Sequence, residues 1–166
     1  GATKVIAIDP VPFKRDQALK FGATHVFSSA TEALMPIMEL TEGRMAEKTI
    51  ITVGEIKGEN IEEALLLTAK AGRCVVTGMG RMEDMDVKLN LFLFTMLQKD
   101  LQGAIFGGGN PRHDIPLLLS MYKSGQLNLD DMITNTYTLD DINSGYQDML
   151  DGKNIRGVIK YTDSDR

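Results

Sequence analysis

Residues 4–9 read Lys-Val-Ile-Ala-Ile-Asp, four consecutive apolar residues, three of them β-branched, closed by a single carboxylate. Such a run favours a strand covered on both faces, as in a parallel sheet, because β-branched side chains pack well on a pleated surface and no position in the run is polar. The acid that closes it has two readings. Asp starts turns and caps helices, and in a doubly wound sheet an acid at the carboxyl end of the second strand accepts hydrogen bonds from an adenosine ribose. Asp9 is a candidate for both.

The chain then alternates. Residues 10–13 turn, residues 14–21 supply good helix formers with apolar positions at helical spacing, and Gly22 stops them. A short strand is expected at 24–27 and a helix at 31–40, although Pro36 within it would cost about 3 kcal/mol in a helix interior. A strand at 49–53 ends on Gly54. The helix expected at 61–71 carries Glu62 and Glu63 in its first turn and Lys70 near its end, the charge order a helix dipole favours, with Gly72 as its stop. Residues 73–77 read as another buried strand, and the Gly78-Met79-Gly80 turn after it lets backbone approach a ligand closely.

Residues 86–90 alternate, as a short half-exposed strand would, and 91–97 are apolar almost all round, which predicts a buried helix. A strand at 103–106 precedes Gly107, Gly108 and Gly109. The remainder reads as a helix at 115–123, an extended segment at 133–139, an amphipathic helix at 140–150 and a closing strand at 158–161. Strands alternating with helices at this rhythm specify an α/β fold with a parallel sheet. In such sheets ligands bind beyond the carboxyl ends of the strands, which here are Asp9, Val53 with Gly54, Thr77 with Gly78, and Phe106 with Gly107.

Composition narrows the function. With 166 residues and 43% apolar content the chain can bury a real core, and a net charge of −5 with no basic run argues against nucleic acid or an anionic membrane as partner. No apolar stretch approaches the roughly 20 residues that span a bilayer, and the N-terminus lacks a signal-peptide pattern, so a cytoplasmic protein is expected. Cys74 is the single cysteine; within an apolar strand it reads as a small core residue, and it cannot build a zinc site alone. His25 and His113 have no Cys or carboxylate partner at ligand spacing, and the ten methionines read as adaptable packing. By composition alone Met79 and Ile105 are ordinary apolar core, and Arg156 is a solvent-facing arginine ahead of a strand.

Four stretches carry a resemblance. They are Gly-Ala-Thr-Lys-Val-Ile-Ala-Ile-Asp at 1–9, Lys-Phe-Gly-Ala-Thr-His at 20–25, Leu-Gln-Gly-Ala-Ile-Phe-Gly-Gly at 101–108 and Asn-Ile-Arg-Gly-Val-Ile-Lys-Tyr at 154–161. In that order and spacing the chain resembles the zinc-dependent medium-chain alcohol dehydrogenases, in their actinobacterial-type, class III-like branch. The resemblance implies NAD as cofactor, with Asp9 on the adenosine ribose and Lys14 reaching the same ribose. Asp9 would favour NAD over NADP, since a carboxylate repels a 2′-phosphate.

Val53 and Gly54 would flank the adenine and nicotinamide ribose, and the backbone at Thr77, Ala104 and Phe106 would bond the nicotinamide carboxamide, with Gly78 in the turn beside it. Arg156 matches an arginine on the pyrophosphate, and Met79 and Ile105 match positions lining the pocket for a small alcohol or aldehyde. The family dimerises through the strand matching 101–106, so a homodimer is expected.

The chain also departs from that pattern. No Gly-x-Gly-x-x-Gly follows a first strand, and the cysteine and histidine ligands of the family's catalytic and structural zinc ions are absent. The expectation is therefore the C-terminal part of a longer dehydrogenase, inactive alone, with zinc only in the parent protein. Its fold would be a Rossmann-like doubly wound parallel sheet lacking its first strand and glycine-rich loop. Residues 1–110 would form a partial NAD-binding domain, and 111–166 the end of it plus a segment returning to the catalytic domain. In a 3-2-1-4-5-6 sheet the missing strand is central, so the gap should be closed by rearrangement or by a partner strand. Two other readings stand beside this one: part of a zinc-free quinone or enoyl reductase, which Asp9 argues against, and a free-standing nucleotide-binding or interaction module.

Overall fold

Parallel pairing runs through the whole chain. β1 (Ile6–Ile8) pairs with β2 (His25–Phe27), β3 (Ala46–Ile51) with β4 (Thr68–Val76), β4 with β5 (Asp100–Gly103), and β6 (Ile133–Tyr137) with β7 (Arg156–Ile159). Between them lie α1 (Pro12–Lys20), α2 (Ala30–Leu40), α3 (Gly58–Leu67), α4 (Leu91–Met96), α5 (Pro111–Lys123) and α6 (Ile142–Leu150). The fold is α/β, as the alternation requires. The computed structural model describes residues 1–162, so the last four residues of the expected C-terminal segment lie outside the description. Two units are present, one of Gly1–Ser28 with the chain from Asn110 onward, the other of Ser29–Gly109.

In the first unit, β1 and β2 run in register from Ile6 opposite His25 to Ile8 opposite Phe27, and the Asp9 amide extends the ladder by donating to the Phe27 carbonyl at 3.1 Å. Pro12 opens α1, where its missing N–H costs nothing, and Gly22 ends the segment at a φ of +99°. α5 starts on a reciprocal cap: the Asn110 side chain accepts from the Arg112 amide, and the Asp114 carboxylate accepts from the Asn110 amide at 2.7 Å.

The Tyr137 hydroxyl ties β6, α6 and β7 together. It accepts from Asn135 Nδ2 at 2.9 Å and from Asn154 Nδ2 at 3.2 Å, and donates to Asp148 Oδ2 at 2.9 Å. Its ring lies over Gly145 and Gly157, where an added Cβ would come within 3.1 and 2.8 Å of ring carbons. Asn154 is buried, so Tyr137→Phe strands a polar group away from water, and a loss of about 1 to 2 kcal/mol is expected in urea unfolding.

The second unit is the β3-β4-β5 sheet with α2, α3 and α4. Ile51, Ile56, Ile61, Leu65 and Cys74 form its core, with Phe94 and Leu101 packed against them. Cys74 is fully buried, and burial pushes its thiol up, against a hydrogen bond from Thr49 and the nearby Lys99 charge; it is core, as the sequence indicates. The Lys99 ammonium donates to the Leu65 carbonyl near the end of α3, and burial lowers its pKa. Thr68 donates to the Ala64 carbonyl at 2.6 Å and bonds the Thr49 hydroxyl at 2.8 Å.

Several expectations are corrected. The helix expected at 61–71 ends at Leu67, and β4 begins at once at Thr68. Gly72 therefore lies inside the strand, next to Ala71 at a φ of +56°, where the ladder to β3 is irregular. Residues 86–90 form no strand; Asp86 instead accepts from the Gly58 amide at 2.9 Å and caps α3. α4 forms, but it is not buried: Leu91 and Phe92 are 68% and 71% exposed. The strand expected at 103–106 is β5, which ends at Gly103, and the chain turns through a short 3-10 segment at Ile105–Gly108. Val5 and Ile8 are exposed rather than covered. The helix expected at 31–40 does form, as α2 with Pro36 inside it.

The strands fall into three separate sheets. Among the described residues β1 pairs only with β2 and β3 only with β4, so each keeps one open edge.

Candidate functional site

The second unit gathers six of the expected residues at the carboxyl ends of its strands. Past the end of β4, Thr77 turns back onto β3: its amide and hydroxyl both donate to the Ile51 carbonyl, at 3.1 and 2.8 Å. That leaves its own carbonyl oxygen to accept from a ligand. Gly78 then passes so close to Val53 that an added Cβ would stand 2.5 Å from the Val53 carbonyl oxygen. Further out, Ile56 donates to the Met79 carbonyl at 3.2 Å, and Arg81 pairs with Glu55 at 3.0 Å. On the other side the Ala104 amide donates to the Val76 carbonyl at 2.9 Å. Val53, Gly54, Thr77, Gly78, Met79 and Ala104 thus form one rim across three parallel strands.

Gly54 has open space where a Cβ would stand, so backbone is accessible there. Phe106 is a non-glycine residue at a φ of +48°, and it is 94% exposed, with Ile105 at 72% and Met79 at 74%. These three apolar side chains stand on the same rim without core partners, which corrects the reading of Met79 and Ile105 as core by composition.

The first unit holds Asp9, Lys14 and Arg156. Asp9 is half-buried and makes the bond that the turn reading requires. Its Oδ1 accepts from the Val11 amide at 2.8 Å, the turn-forming role, while Oδ2 has no partner among the described residues. A carboxylate with one oxygen anchored and one free fits the donor hydroxyls of a ribose. The Lys14 side chain, half-buried on α1, has no hydrogen-bond or ion-pair partner among the described residues, and its Cε lies 3.7 Å from where a Cβ on Gly152 would stand. Arg156 is exposed at the start of β7, without a partner among the described residues.

Arg15 went unremarked in the sequence beyond its helix propensity. Its Nη1 donates to the Asp9 carbonyl at 2.6 Å and braces the turn that presents the carboxylate. The signal available was a long cation one helical turn into α1, six residues after the acid. A shallow cleft of about 460 Å³ between α1 and β6, lined in part by Phe13, Lys20, Asn135 and Lys153, holds none of the expected site residues.

Among the described residues no group of three or more His, Cys, Asp or Glu side chains is placed to hold a metal ion, so these residues do not fit a zinc site. Nor is any described helix long and apolar enough to cross a membrane.

Comparison with known proteins agrees with this architecture. The family model described as zinc-binding dehydrogenase matches residues 1–124. Alcohol dehydrogenase B of Mycobacterium tuberculosis is 61% identical over 166 residues, all of this chain and 44% of that protein. The NDMA-dependent alcohol dehydrogenase of Amycolatopsis methanolica is 45% identical over 162 residues, 98% of this chain and 44% of that protein. Benzyl alcohol dehydrogenase from Acinetobacter calcoaceticus superposes with a TM-score of 0.89 at 25% identity, over 98% of this chain and 44% of that structure. The chain thus spans under half the length of these relatives, and it corresponds to the C-terminal, cofactor-binding part of alcohol dehydrogenases. With three quarters of its residues under the family model, the chain belongs to the zinc-binding dehydrogenase family.

Proposed function

We propose that the chain holds NAD at the carboxyl ends of its parallel strands, as part of a NAD- and zinc-dependent alcohol dehydrogenase acting on a small alcohol or aldehyde in the cytoplasm. The observation that carries this is Asp9, whose Oδ1 is anchored on the Val11 amide while Oδ2 is left without a partner. The relatives' names supply the reaction class.

When bound, NAD exchanges a hydride with the alcohol carbon at its nicotinamide ring. Everything else is positioning. Asp9 accepts from the adenosine ribose hydroxyls and Lys14 adds a donor beside it. Val53 and Gly54 flank the cofactor with backbone close enough for van der Waals contact. The carbonyl of Thr77 and the backbone of Ala104 and Phe106 take the carboxamide and fix which ring face is presented, with Gly78 keeping the β3 and β4 ends tight. Arg156, with a full set of free donors, meets the pyrophosphate. Met79 and Ile105 give the substrate side of the rim an apolar wall.

The family's zinc has no fitting ligand set among the described residues, so no step runs through it here. Zinc is expected only in the parent protein, and addition of alcohol and NAD to the 166 residues alone should give no NADH. Residues 1–110 form most of the cofactor domain, and 111–166 its end, Arg156 included, with a segment returning to the catalytic domain.

Titration of NAD+ and NADP+ by calorimetry tests the reading. Saturable NAD+ binding, with NADP+ at least about tenfold weaker, is expected, since a carboxylate beside a 2′-phosphate repels it. Equal or tighter NADP+ binding would refute it. Among the described residues β5 pairs only with β4, and its free edge supports a homodimer through this strand. Light scattering should give twice the chain mass, and a monomer at micromolar concentration would exclude it.

A further inference from the structure

Arg15 bonds the main chain of Asp9, the residue proposed to hold the ribose, yet it makes no ion pair with the Asp9 carboxylate. Its one side-chain hydrogen bond runs from Nη1 to the main-chain oxygen of Asp9 at 2.6 Å, and it makes no ion pair among the described residues. A guanidinium carries five N–H donors in a rigid fork, so several remain unused at this position. Arg15 is half-buried on α1, one turn from the helix start, and the bond to Asp9 holds it at the tip of β1. The side chain of Lys14, the other cation at this tip, is without a partner among the described residues.

We propose that Arg15 is a second determinant of cofactor choice at this end of the site, resting on the reading of Asp9 as the ribose acceptor. Arg15 braces the Asp9 main chain and supplies a latent contact for a 2′-phosphorylated dinucleotide. With the carboxylate present, its charge faces any 2′-phosphate and cancels the attraction of the guanidinium. The exclusion of NADP therefore rests on the Asp9 side chain alone, and Arg15 sets how far NADP is admitted once that side chain is gone. Arg rather than Lys suits the task, because the planar fork bonds two phosphate oxygens at once.

The test uses Asp9→Ser, since a serine hydroxyl can still accept from the Val11 amide and preserve the turn. NAD+ and NADP+ dissociation constants are measured for the full chain as wild type, Asp9→Ser, Asp9→Ser with Arg15→Gln, and Asp9→Ser with Arg15→Ala. Glutamine keeps a donor for the Asp9-position carbonyl and removes the charge. Asp9→Ser should tighten NADP+ by roughly tenfold or more, and either Arg15 change should abolish that gain while NAD+ affinity stays within about threefold of the Asp9→Ser value. If NADP+ binding by Asp9→Ser does not tighten, or survives the loss of Arg15, the proposal is wrong. Equal weakening of both dinucleotides by Arg15→Gln makes Arg15 a brace only and also overturns it. Absence of NAD+ binding in the wild type defeats the ribose reading itself, a different result from a failure confined to NADP+. Circular dichroism identifies any variant that fails to fold, and Arg15→Gln, the milder change, then decides.

Discussion

Gly78→Ala is expected to destabilise the chain by about 2 to 3 kcal/mol in urea unfolding, the upper part of the range for overpacking. The added methyl would stand 2.5 Å from the Val53 carbonyl oxygen, and main chain cannot rotate away as a flexible side chain can. Relief requires the ends of β3 and β4 to part. That motion breaks the two bonds from Thr77 to the Ile51 carbonyl and the bond from Ile56 to Met79. Gly54→Ala is the matched control: its Cβ meets nothing within 4 Å, so a change below about 1 kcal/mol is expected. A Gly78→Ala chain as stable as the control would mean the rim across these strands is looser than described.

Asp9→Asn should weaken NAD+ binding by roughly 10- to 100-fold, equivalent to about 1.5 to 3 kcal/mol for a lost charge-assisted bond. Asparagine keeps an acceptor for the Val11 amide, so the turn into α1 and the thermal midpoint should be unchanged. The amide nitrogen that replaces Oδ2 donates instead of accepting, so the ribose hydroxyl must turn to offer a lone pair to an uncharged group and the charge-assisted bond is lost. Calorimetry separates the outcomes: weaker binding with an unchanged melt supports the ribose role, and unchanged binding leaves Asp9 with the turn alone.

The sequence was most legible where local chemistry and tertiary role agree. The run ending at Asp9 forms a strand because Val5, Ile6 and Ile8 favour extended backbone, and the acid that closes it takes the turn bond any Asp could take. The same holds at the strand ends of the second unit, where Val53, Thr77 and Ala104 stand side by side because parallel strands in order must end together.

Legibility failed where long-range pairing overrode local preference. Residues 68–71 continue the helical spacing of α3, but Thr68 turns its hydroxyl onto the Ala64 carbonyl and its backbone into the ladder opposite Ala46. A β-strand there satisfies more backbone groups than another helical turn would. Phe106 reads as strand in the sequence because nothing local marks a left-handed residue other than Gly, Asn or Asp.

The apolar run at 91–97 gave the right element and the wrong environment: α4 forms, but only Phe94 packs on the core. Periodicity reports that a helix is apolar all round, and it does not report what covers it. Arg15 was missed for a related reason, since its contact is to a main-chain oxygen that no side-chain pattern reveals.

The most direct test of cofactor binding at these strand ends is titration of the isotope-labelled chain with NAD+, followed by amide chemical shifts. Shifts at Asp9, Val11, Gly54, Thr77, Gly78 and Ala104, with little change along α5 and β6, are predicted. Saturable binding whose shifts fall instead on the cleft at Phe13, Lys20, Asn135 and Lys153, or no shift at any concentration, would contradict the assignment.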